Sequence, residues 1–203
     1  LEAKIRGDDS AANDSIGALK FIGELERSRN ADFFVTEIAA HYAQTDKTEQ
    51  LLAAKDLVTA GFADINTRKP ENARQSFTAG RDAYAAAGDR WNSLIADLWL
   101  AHALSDLSKI KDSDAILDRL ADTAERNNYK WLSLVTSEWI AHNQGLRGEV
   151  GRSTALTIKN LDLAEQLADG AMRTKLSFTL VDSYEGVGEM QRAFGFLGRL
   201  NSN

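Results

Sequence analysis

Two stretches of this chain are versions of one another. Residues 91–102 read Trp-Asn-Ser-Leu-Ile-Ala-Asp-Leu-Trp-Leu-Ala-His, and residues 131–142 read Trp-Leu-Ser-Leu-Val-Thr-Ser-Glu-Trp-Ile-Ala-His. The displacement is 40 residues throughout, and six of the twelve positions are identical. The pair holds all four tryptophans and two of the three histidines. Self-similarity at a fixed period of this size is the signature of helical pairs stacked into an array, because one pair alone cannot bury its apolar face. It constrains the fold more tightly than any local motif.

The rest of the chain fits a helical reading. One proline and fourteen glycines in 203 residues suit helices separated by short turns. No run approaches the ~18–20 consecutive apolar residues of a membrane span, and the start, Leu1 to Arg6, lacks the apolar core of a signal peptide. The formal charge of −6 argues against a nucleic-acid binder, which needs a concentrated basic stripe. Without cysteine there are no disulfides or thiolate metal sites. The compartment stays open, with the cytoplasm slightly favoured. A first residue other than methionine, and a last helix with an apolar face at Met190, Ala193, Phe194, Leu197 and Leu200, suggest a piece of something larger or a face covered by a second copy.

Apolar periodicity places an early helix over 10–29, with Ile16, Leu19, Phe21, Ile22 and Leu25 as its stripe. Asn30, Ala31 and Asp32 break it, and a second helix follows carrying Phe33, Phe34, Ile38 and Tyr42. Thr45 and Asp46 are the next cap candidates, with Glu49 placed as in a capping box. From there the 40-residue frame predicts first helices over 47–66, 90–108, 130–146 and 171–186, and second helices over 71–87, 112–127, 151–168 and 190–200. The domain reading is an N-terminal pair of helices (1–46) followed by repeats 47–89, 90–129, 130–170 and 171–203. Small residues obey the same step: Gly61, Ala101, Ala141 and Val181 in the first helices, Ala73, Ser113, Ser153 and Ala193 in the second. Close crossing of two helices requires small side chains where the backbones approach.

These residues carry a family resemblance. Leu180, Tyr184, Gly188, Glu189, Met190 and Ala193, at their spacing, look like the heart of a tetratricopeptide repeat, and 72–77 (Asn-Ala-Arg-Gln-Ser-Phe) resembles the opening of its second helix. The resemblance covers about 47–200; the period is longer than the family's ~34 residues, and Asp97, Ser137 and Ser177 stand where the family has an early tryptophan or leucine. It is similar to the longer, divergent arrays of bacterial regulators and signalling proteins. The resemblance implies an all-α, right-handed α-solenoid of stacked antiparallel helix pairs, with a concave surface lined by the first helices.

Trp99 and His102 are three apart and share a helix face; Trp139 and His142 repeat the arrangement one period on. Facing a groove, these four would form a two-rung aromatic ladder able to hold a peptide by stacking and hydrogen bonding. Facing inward, the same four would fill duplicated spaces between repeats, as aromatics at helical spacing usually do. The ladder does not extend outward, since Thr59 with Phe62 and Thr179 with Asp182 occupy the flanking positions. Trp91 and Trp131 open their helices beside Arg90 and Lys130, where packing near Tyr84 and Ala124 and a cation–π contact are expected. Two histidines make no zinc site without further ligands, and no nucleophile elbow or phosphate loop occurs.

The expected function is therefore a non-enzymatic protein–protein interaction or sensor module of a larger signalling or regulatory protein, needing no cofactor or metal and binding a peptide or partner helix. The partner would be a protein, with no part for nucleic acid or membrane. A self-associating scaffold, dimeric through the C-terminal helix, and a repeat domain responsive to a small ligand are the alternatives.

Overall fold

The computed structural model describes residues 1–200, and the side chains of 197–200 lie outside that description. The chain is all-α. Among the described residues there are eleven helices and no strand, and consecutive helices pack against each other as in a helical solenoid. They are α1 (Glu2–Ile5), α2 (Asp9–Asn30), α3 (Phe34–Gln44), α4 (Thr48–Asn66), α5 (Pro70–Ala87), α6 (Arg90–Asp106), α7 (Ile110–Asn127), α8 (Lys130–Leu146), α9 (Val150–Gln166), α10 (Gly170–Gly186) and α11 (Met190–Leu200). From α4 onward the helices fall where the 40-residue frame puts them. None is long and apolar enough to cross a membrane.

One backbone device sets this spacing. Arg68, Gly88, Ser108, Asn128, Gly148, Ala168 and Gly188 all have positive φ, 20 residues apart. Each ends a helix in the left-handed conformation, and the next amide reaches back to a carbonyl of the last turn, as in Lys69 N to Asp64 O (2.8 Å), Asp89 N to Tyr84 O (2.9 Å), Tyr129 N to Ala124 O (2.9 Å) and Glu189 N to Tyr184 O (2.8 Å). This is the Schellman pattern, which satisfies carbonyls that helix ends would leave bare. The next helix starts at once: Asp89 and Asp169 cap the amides of Asn92 and Met172, and Pro70 takes the first helical position of α5.

The chain divides into two compact units, Leu1–Leu132 and Ser133–Asn203, with the boundary inside α8. In the first unit the small residues do what their spacing implies. Gly61 and Ala73 are buried, and a β-carbon on Gly61 would come within 2.6 Å of the Phe77 ring. Ala101 and Ser113 are buried too, and the Ser113 hydroxyl lies 3.0 Å from that of Ser105.

A polar network fixes α3. Asp89, fully buried, accepts from the Tyr42 hydroxyl (2.9 Å) and the Asn92 amide (2.8 Å). Glu37 accepts from the Arg90 guanidinium (2.6 Å), the Trp91 indole (2.9 Å) and the Tyr129 hydroxyl. Burial pushes the Glu37 carboxyl up, but the hydrogen bonds from Tyr129, Arg90 and Trp91 outweigh it and hold the group below its ordinary range. At Trp91 the cation–π contact forms, with Arg90 4.8 Å from the ring centre. Trp91 and Trp131 also find partners in α3: His41 lies 5.4 Å from Trp91, and Phe34 lies 5.7 Å from Trp131.

Two local expectations fail. Phe21 and Ile22 do not belong to the buried stripe of α2; Phe21 is 71% exposed, and Ala12 and Gly23 are the buried positions. The reason is close approach: Gly23 lies so near α3 that a β-carbon there would sit 2.8 Å from the Thr36 backbone. The backbones meet at the glycine, which turns the bulky neighbours outward. The capping box at Asp46 and Glu49 also does not form, because the helix begins one residue later behind Lys47 with no side-chain cap.

A candidate binding cleft in the second unit

The second unit is built on Leu134, Leu161, Ala164, Leu167, Leu176 and Leu180, with Tyr184 stacked on Phe196 at 5.7 Å beside them. Its helices α8 and α9 cross closely. The crossing is marked by the Ser153 hydroxyl, which donates to the Ala141 carbonyl at 2.8 Å. Both residues belong to the 40-residue series of small side chains.

An open cleft of ≈ 430 Å³ lies between α8, α9 and α10 of this unit. From α8 it takes Glu138, Trp139, His142 and Gly145, which fall on one helical face by their spacing. Ser153 and Thr157, four apart on α9, give a narrow floor, and Lys175, Leu176 and Thr179 come from α10. Where two helices meet at small residues and the third carries threonine, the side chains do not fill the space between the axes.

The aromatic wall is ordered by its neighbours. Trp139 and His142 meet edge to face, centroids 5.1 Å apart at 77°, a preferred geometry for a quadrupolar ring pair. The Lys175 ammonium stands 5.4 Å from the Trp139 ring centre and 3.0 Å from Glu138. The Glu138 side chain is only 12% exposed and that of Lys175 52%, so the pair lines the cleft with a largely buried carboxylate and a more exposed cation. His142 itself is exposed.

Trp99 and His102 belong to the first unit, in different surroundings. The Trp99 ring meets Phe62 edge to face at 4.8 Å and stacks with Phe77 at 6.4 Å, while Phe62 and Phe77 lie 5.4 Å apart. His102 sits 5.5 Å from Trp99 and 3.4 Å from Asp106. Three rings thus pack together around Trp99, which is half-buried, as is Trp139. Trp139, by contrast, lines an open space.

Sequence reasoning singled out Trp139 and His142 but passed over Glu138, Lys175, Thr157 and Thr179 as cleft residues. The available signal was a change of chemistry in matched columns: Phe77 and Leu117 give way to Thr157, and Val58 and Leu98 to Glu138. Among the described residues no three histidine, aspartate or glutamate side chains converge as metal ligands. Comparison with protein-family models, with curated proteins and with solved structures returned no match.

Proposed function

We propose that this chain is a non-catalytic interaction module, a divergent tetratricopeptide-like array that holds a peptide or partner helix against the α8–α10 cleft. The observation that carries this reading is the cleft itself. It is open to solvent, walled by Trp139 and His142, and flanked by the Glu138–Lys175 pair. Rings offer contact area at small entropic cost, and a carboxylate–ammonium pair at the rim orients an incoming backbone or charged side chain. In this reading binding rests on Trp139 and His142, whereas Trp99 and His102 serve packing. The resemblance to bacterial regulators supports placing the module within a larger signalling or regulatory protein.

A random-peptide display selection on the protein tests the reading. Selected peptides should lose about 2 kcal/mol or more of binding on Trp139→Ala, as a hot-spot ring does, and the melting temperature of the same variant should stay near that of the parent. Failure to select any peptide, or peptides indifferent to Trp139→Ala, would sink it.

A second reading is favoured by α11, where Met190 and Phe194 are exposed, Phe194 at 61%. Here a second copy covers this face and the protein is a homodimer; Leu197 and Leu200, which share the expected face, lie outside the described side chains. A monomer mass that does not change with concentration eliminates it.

A further inference from the structure

The chain contains its own template for what the cleft lacks. In the first unit Phe62 of α4, Phe77 of α5 and Trp99 of α6 make a three-ring cluster, Phe77 buried and the other two half-buried. Two periods on, the same three columns hold His142 of α8, Thr157 of α9 and Thr179 of α10. All three line the cleft. The helices of both triplets stand in the same order and are set by the same 20-residue turns. The outer helix therefore supplies an indole in one unit and a threonine in the other, and the middle helix a phenyl ring in one and a threonine in the other.

In the α9 and α10 columns the side chains shrink, and although Trp139 stands where α4 has Thr59, a cleft of ≈ 430 Å³ stays open between the three helices. From this, we infer that the cleft accepts a planar aromatic side chain, tryptophan above all, presented by a partner peptide and seated where Trp99 sits in the first unit. The surroundings suit that guest. Leu176, buried, supplies an apolar surface on the α10 side, and His142 stands in the column of Phe62 to meet a ring at its edge. The threonine hydroxyls are already committed, Thr157 to the Ser153 carbonyl (2.9 Å) and Thr179 to the Lys175 carbonyl (3.1 Å), so a ring entering the cleft strands no donor there. Lys175, already beside one indole, lies one helical turn before Thr179 and is placed to meet a second.

This inference rests on the peptide-binding reading, and the test separates the two. The probe is N-acetyl-tryptophanamide, followed by ligand-observed NMR on the intact protein, alongside the peptides selected above. Thr179→Trp should fill the space from within, and Thr179→Leu should fill part of it, while Thr179→Ser leaves it open. The expected result is that the probe binds the parent and Thr179→Ser, and that Thr179→Trp abolishes binding while raising the melting temperature. Selected peptides should share an aromatic residue and lose at least tenfold in affinity on Thr179→Trp. If that variant does not fold, Thr179→Leu reads the same occlusion with a smaller side chain. Peptides that bind parent and filled variants alike, with no probe binding, overturn the inference and leave the peptide reading standing. Probe binding with no selectable peptide overturns the peptide as the source of the ring. Absence of both removes the two together.

Discussion

The carboxylate of Asp32 accepts the backbone amide of Trp131, 99 residues further along the chain, at 2.7 Å. Its other oxygen accepts the amide of Phe34 at 2.9 Å, and the side chain is buried. One residue thus holds the first amide of α3 and the second amide of α8. Asp32→Ala leaves both amides without their acceptor, at a cost of about 1–3 kcal/mol for each one kept from water. Amide hydrogen exchange should accelerate at Trp131 and Phe34 ahead of the rest of the first unit; unchanged exchange at Trp131 would show that the long-range cap carries no weight.

Glu37 gives the first unit an acid sensitivity. Its folded carboxyl lies below the ordinary range, because hydrogen bonds from Tyr129, Arg90 and Trp91 outweigh its burial. A depressed folded value means stability that is present above the unfolded carboxylate range and lost as pH falls through the folded value. Glu37→Gln should be less stable than the parent at neutral pH, and the difference should shrink on acidification. Urea melts at a series of pH values decide the matter, and a difference that widens in acid contradicts this assignment.

The left-handed turn position favours glycine, yet Ala168 occupies it with φ 54°. An alanine there costs roughly 1–2 kcal/mol of backbone strain, offset in part by the greater freedom glycine gives the unfolded chain. Ala168→Gly should stabilise the second unit slightly, and Gly148→Ala, at φ 77°, should destabilise it. Denaturant midpoints of both variants check the signs.

Two glycines in first helices should respond oppositely to alanine. At Gly61 the new carbon would meet the Phe77 ring at 2.6 Å; at Gly145, beside the cleft, it would meet only the Ser153 hydroxyl at an ordinary 3.5 Å. Gly61→Ala should cost about 1–3 kcal/mol through overpacking, whereas Gly145→Ala should gain up to about 1 kcal/mol in helix propensity. Thermal melts of the pair test this, and equal shifts would refute it.

The helices were legible because period, small-residue columns and turn-formers all point to one frame. Pro70 and the glycines at 88, 148 and 188 mark their turns openly. Arg68, Ser108 and Ala168 adopt the same conformation, although none of them is a residue that favours it. Tertiary contact likewise decided α2, where one glycine against α3 outranked the hydrophobicity of Phe21 and Ile22. At the candidate site the periodicity drew notice to Trp139 and His142, but a cleft is made by what is missing. Thr157 and Thr179 read as unremarkable polar residues until their columns are compared with Phe77 and Trp99 in three dimensions.

The even placement of the left-handed turns makes the chain strict about length and lenient about identity. Arginine, glycine, serine, asparagine and alanine all serve at the turn, so single exchanges there leave the count intact. Losing one residue inside a helix is a different injury. It rotates everything on one side of the gap by about 100° relative to the other, swinging buried positions toward water within a single turn. Small insertions and deletions should therefore be far more harmful in the helices of this protein than almost any substitution.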